Sequence, residues 1–139
     1  MAMDEDECLD RYGLHPVGVG LDEVRGLLGE QIRLERQAQG RGDTELMKLC
    51  CVQLFNVGSL DDVLLVWEAK SASMDAACSI DIQLLCGSGL ARTKAYLLQQ
   101  RLPEAEAALQ RLLDCEKAGD FEDFSVEGQS AQYAAYYTP

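Results

Sequence analysis

Histidine is almost missing from this sequence: in 139 residues only His15 carries an imidazole. A Cys–His or Ser–His–Asp hydrolase would have to use it as base, and it sits beside Pro16 in a glycine-rich stretch, so no catalytic residue is expected. Closely spaced cysteine pairs are missing as well. No two of the six cysteines stand in the Cys-x2–4-Cys spacing that zinc sites use, so no metal is expected. Long apolar runs are missing, and nothing approaches the roughly 18 residues of a transmembrane helix. Positive charge is scarce: 12 Lys and Arg face 24 Asp and Glu, a net charge of −12. Nucleic acid and anionic membranes demand the opposite sign, and both are disfavoured as partners. Sustained strand alternation does not occur, so no sheet is expected.

What is present describes a folded helical chain. Apolar residues make up 47% of it, ordinary globular usage, which argues against disorder. Cys50, Cys51, Cys86 and Cys115 fall inside apolar-periodic helical segments, where free cysteine behaves as a small hydrophobe. The start, Met1 to Glu7, is acidic where a signal peptide is basic and then apolar, so a cytoplasmic protein is expected.

Residues 1–20 read as an acidic N-terminal segment, frayed at its end, followed by a Gly/Pro loop that leads into a single helical domain over 21–139. Leu21, Val24, Leu28 and Ile32 carry helical spacing, with Asp22 and Glu23 in the first turn and Arg33 and Arg36 near the end, as the helix dipole favours. Gly26 and Gly29 lie inside that helix and are expected to let another helix approach, one of this chain or else one of a second copy. Asp43 or Thr44 caps a second helix ending at Gly58, and Ser59 starts a third. The short connection makes these an antiparallel αα-hairpin near 43–71. A segment over 75–100, interrupted at Gly87-Ser88-Gly89, pairs with a helix starting at Pro103 to give a second hairpin near 75–118. A capping helix near 125–137 closes an all-α chain of about six helices.

The hairpins share a pattern at an offset of 42 residues: Leu54-x3-Gly58-x-Leu60-x2-Val63-x3-Trp67 against Tyr96-x3-Gln100-x-Leu102-x2-Ala105-x3-Leu109. This order resembles the tetratricopeptide repeat, in which a tyrosine, a turn glycine, an alanine and a large apolar residue follow in turn. The sequence departs from that pattern in its period, roughly 34 in the family. It departs too at Gln100, where the turn glycine belongs, and at Val63, where the alanine belongs. The resemblance implies either a compact right-handed array or a helical bundle, and a surface that binds another protein.

Two candidate sites stand out. Tyr133, Tyr136 and Tyr137 on the last helix, with Phe124 and Asp123 before it, suit either an aromatic clasp closing the bundle or a partner-binding patch. Gly87, Ser88 and Gly89, with Arg92 and Lys94 just beyond, open a helix N-terminus that suits an anion. The P-loop pattern Gly-x4-Gly-Lys-Ser/Thr is absent there. Asp120, Glu122 and Asp123 lack the order of an EF-hand calcium loop. The expected function is a non-enzymatic protein–protein interaction module without cofactor, acting as an adaptor, regulatory or neutralising subunit. Its expected partner is another protein, for which the negative charge allows a basic surface, and the chain itself is expected to be a monomer or homodimer. The alternatives are an anion- or nucleotide-binding protein or enzyme using the glycine break, and a self-associating structural protein.

Overall fold

The chain is helical from its fifth residue in the computed structural model, which describes residues 3–138. Met1, Ala2 and Pro139, the outermost residues of the two segments expected above, lie outside the described residues. Asp4 caps α1 (Glu5–Tyr12), its carboxylate accepting the Glu7 N–H at 2.9 Å. Three acidic residues in the first turn and Arg11 in the last match the helix dipole. The frayed end expected here is thus a helix. Cys8, fully buried, anchors it, with Leu9 and Tyr12 packed beside it, a short apolar face inside a charge run.

The glycine and proline stretch breaks the chain only over Gly13–Val17, and α2 (Gly18–Gln37) already begins within it. Nothing lies within 4 Å of a Cβ built on Gly26 or Gly29. Among the described residues, the close approach of another helix of this chain expected at those glycines does not occur.

Asp43 caps α3 (Thr44–Val57), accepting the Leu46 N–H at 3.1 Å. Of the ten positions from Leu46 to Phe55, all but Lys48 are buried. A helix enclosed on nearly every side is the centre of its domain. Helices α1 and α2 pack on it, as do α5 (Met74–Ser79) and α8 (Val126–Tyr137). Gly58, in the left-handed conformation at φ 75°, ends α3. A 3₁₀ turn (Leu60–Asp62) then leads into α4 (Val63–Lys70).

The single segment expected over 75–100 is three pieces: α5, a 3₁₀ turn (Ile82–Leu85) and α6 (Leu90–Gln100). The first break, at Ile80-Asp81, is stabilised by Lys70, whose Nζ donates to the carbonyls of Ala77 and Ile80 at 2.6 Å each. Helix α7 (Pro103–Lys117) starts at its proline and packs along α6. Ser125 caps α8 by accepting the Gly128 N–H at 3.0 Å.

The fold is all-α, with eight α-helices and no strand among the described residues, against the six expected. The two extra helices are α1 and the detached α5. The left-handed residue closing the first helix of each hairpin is Gly58 in one and Arg101 (φ 53°) in the other, 43 positions apart and one more than the sequence offset.

Candidate functional site

The last helix runs along α3 and meets it through successive side chains. Ser130 donates its hydroxyl to Asn56 Oδ1 at 2.8 Å. Tyr133 is buried, lies edge-on to Phe55 with ring centroids 6.3 Å apart, and donates its hydroxyl to Asp81 Oδ2 at 2.6 Å. Burial, then the bond to Asp81, pushes its phenol pKa up. Tyr137 is half-buried, and only Tyr136, 68% exposed, faces solvent. Lys48 lies over the Tyr133 and Tyr136 rings, 5.9 and 5.3 Å from their centroids. Phe124 is half-buried and edge-on to Phe121, while Asp123 is exposed. These aromatics clasp α8 to the core, and they do not converge on one open patch.

The Tyr137 hydroxyl is enclosed without a hydrogen-bond partner among the described residues. Burial pushes its pKa up, and the nearby Glu5 carboxylate adds to this. An unpaired buried hydroxyl costs about 1–3 kcal/mol. Tyr137→Phe is therefore expected to raise the melting temperature, or at least leave it unchanged. A clear fall would reveal a partner for that oxygen.

At the glycine break, a Cβ on Gly87 would lie 2.4 Å from the carbonyl oxygen of Phe55. The chain crosses the end of α3 in backbone contact there, and Ser88 donates its hydroxyl to the Gly58 carbonyl. Gly89, at φ 99°, opens α6 without a side-chain cap. Lys94 is paired with Glu116 at 2.9 Å, and Arg92 is exposed. Gly87 and Ser88 thus bind the chain to itself, and Arg92 and Lys94 do not close over the break as a pair.

The surface that sequence reasoning passed over is the Gly13–Val17 loop. His15, Pro16, Val17, Gly18 and Leu21 form one wall of a groove of about 320 Å³, and Asn56 and Val57 form the other. Val17 and Val19 are 80% and 75% exposed. Two amides of α3 hold the loop: Gln53 Nε2 donates to the Gly13 carbonyl at 2.7 Å and Asn56 Nδ2 to the Leu14 carbonyl at 2.8 Å. Asn56 is in turn oriented by Ser130. The usable signal was Val17 and Val19, two β-branched apolar residues that precede the helical stripe starting at Leu21.

Cys78 is the exposed thiol, and the other five are wholly or partly withdrawn from solvent. Cys8, Cys50, Cys51 and Cys86 are fully buried, and Cys115 is half-buried. Burial pushes the Cys86 pKa up to about 12 and that of Cys51 higher still. Among the described residues no three His, Cys, Asp or Glu side chains converge as a metal site. Nor, among the described residues, is any helix long and apolar enough to cross a membrane.

No family model, no curated protein and no solved structure matches the chain. Its chemistry rests on its own geometry.

Proposed function

We propose that this chain is a non-enzymatic protein-binding module that takes an apolar side chain of its partner into the groove between the Gly13–Val17 loop and the end of α3. The carrying observation is the pair Val17 and Val19, left in water beside a preformed groove on an otherwise highly charged chain. Apolar surface gathered in one place and rimmed by polar residues marks interaction sites. The loop is fixed by the Gln53 and Asn56 amides, so little ordering entropy opposes binding there.

Net charge of −12 favours a partner with basic residues flanking the anchor, through faster encounter and rejection of acidic competitors. The tetratricopeptide-type ordering of the hairpins supports the same reading, since stacked helical pairs of that kind offer faces to other proteins. In this reading the module works in the cytoplasm, as an adaptor or as a regulatory or neutralising subunit.

Capture from extracts of the cells that express the protein tests this, using three forms of the full chain. Val17→Asp is expected to lose the partner while keeping the melting temperature, because its side chain points into solvent. Tyr136→Ala is expected to retain it. Loss with Tyr136→Ala alone would move the binding face to α8. Light scattering that shows a dimer dissociated by Val17→Asp would make a second copy of this chain the occupant.

A further inference from the structure

One stretch of this acidic chain carries no carboxylate: from Ile82 to Pro103 there is no Asp or Glu, while Arg92, Lys94 and Arg101 fall within it. Its helix is α6, whose packing within the domain is mainly against α7. Ala91, Ala95 and Leu98, at i, i+4 and i+7, share one side of α6, and all three are exposed, Leu98 by 70%. Leu102, 44% exposed, follows at the start of α7. Beside this stripe a groove of about 230 Å³ lies between α6 and the 3₁₀ turn, lined by Leu60, Arg92, Ala95, Tyr96 and Gln99.

No carboxylate lines the groove. On the neighbouring elements, Glu116 of α7 is bound to Lys94 at 2.9 Å, and Asp62 of the 3₁₀ turn is held by the Arg25 guanidinium at 2.9 and 3.0 Å. Asp61, on the same turn, is exposed and forms no part of the groove. Arg92 and Arg101 are exposed and form no ion pair among the described residues. The open side of α6 is thus apolar along its centre with free cations beside it, the reverse of the chain's overall charge.

We infer that this face docks an acidic amphipathic helix of another protein, its apolar residues on Ala91, Ala95 and Leu98 and its carboxylates against Arg92 and Arg101. A stripe of this spacing matches the i, i+4 and i+7 anchors of a partner helix. The two alanines let the helices approach, and Leu98 fills the space between the partner's side chains. Arginine presents a planar fork that suits carboxylates. A second copy of this chain fits worse. Paired antiparallel about the middle of the stripe, α6 would set Arg92 against Arg101 of the other copy, and like charges so placed oppose binding. The inference rests on the reading of this chain as a protein-binding module, and its groove shares no residue with the one at Val17. An adaptor with an acidic partner on α6 and a basic one at Val17 sorts the two by charge.

Fluorescence anisotropy of a dye-labelled synthetic helix titrated with the full chain tests the face, the probe carrying leucines at i, i+4 and i+7 and glutamates on both flanks. Saturable one-to-one binding is expected. Leu98→Ala should weaken it about tenfold, the size of a lost apolar anchor. Arg92→Glu should weaken it by about the same factor, through repulsion of the glutamates. Both side chains are exposed, so the melting temperature should not change with either. Val17→Asp should bind the probe as the wild type does, so failure on α6 is read apart from failure at the Val17 groove. No binding of the probe, or binding that Leu98→Ala or Arg92→Glu leaves unchanged, would overturn the inference. So would light scattering that shows a dimer dissociated by Leu98→Ala, which would place a second copy on α6.

Discussion

Gly87→Ala is expected to destabilise the protein by about 3 kcal/mol or more, the upper end of what overpacking a core costs. The added Cβ would meet the Phe55 carbonyl oxygen at 2.4 Å and the Phe55 Cα at 3.0 Å. Both atoms are backbone of the central helix, so no side-chain rotation relieves the clash. Relief would require lifting the 86–89 segment away from α3, with Cys86 and Leu85 leaving the core as it went. For a chain of this length such a loss lowers the melting temperature by roughly 10 °C. Gly26→Ala is the control. The same added methyl projects into open space on α2, where alanine is favoured over glycine by about 1 kcal/mol, so that variant should melt higher. Equal behaviour of the two variants would show that the glycine break is not a packing joint.

Glu35→Ala is expected to lower stability by about 3 kcal/mol, since it strands several donors at once. Glu35 is only 1% exposed. Its Oε1 accepts the N–H groups of Gly40 and Gly42 at 3.0 Å each, and its Oε2 accepts the Ser73 hydroxyl at 2.6 Å. One carboxylate therefore joins the end of α2, the loop into α3 and the cap of α5. Burial raises its pKa, but the bonds from Ser73, Gly42 and Gly40 together outweigh burial and hold it below the usual value. A carboxyl with a depressed native pKa contributes stability that is full above its unfolded value, near 4.3, and is lost as pH falls through its native value. Glu35→Gln removes that titration. The stability gap between wild type and Glu35→Gln should be constant above about pH 5 and narrow in more acidic solution. A gap that widens on acidification would contradict the assignment.

Much of the helical frame was legible in the residues. Asp43, Ser59, Pro103 and Ser125 mark starts, and Gly58 and Gly119 mark stops, through local chemistry that tertiary structure did not override. Helix α1 was missed because its apolar face is three residues set among acidic ones, and only packing of Cys8 against α3 shows that the segment is held. The break at Ile80 was missed for a similar reason, because the group that satisfies its carbonyls, Lys70, comes from another helix.

The candidate sites were less legible. Tyr133, Tyr136 and Tyr137, at i, i+3 and i+4, share one side of α8, and their pattern does not tell a clasp from a patch until α3 is in place. The groove at Val17 joins residues about 40 positions apart in sequence, which no local motif encodes.

The central claim is that another protein covers the Val17 groove. A photo-activatable residue placed at Val17 in the living cell tests it most directly, with the same residue at exposed Arg33 on α2 as reference. The expected result is one discrete cross-linked protein from Val17 that is absent from Arg33 and is lost when Val57→Asp is added across the groove. An identical pattern from both positions, or no cross-linked protein from Val17, would contradict it.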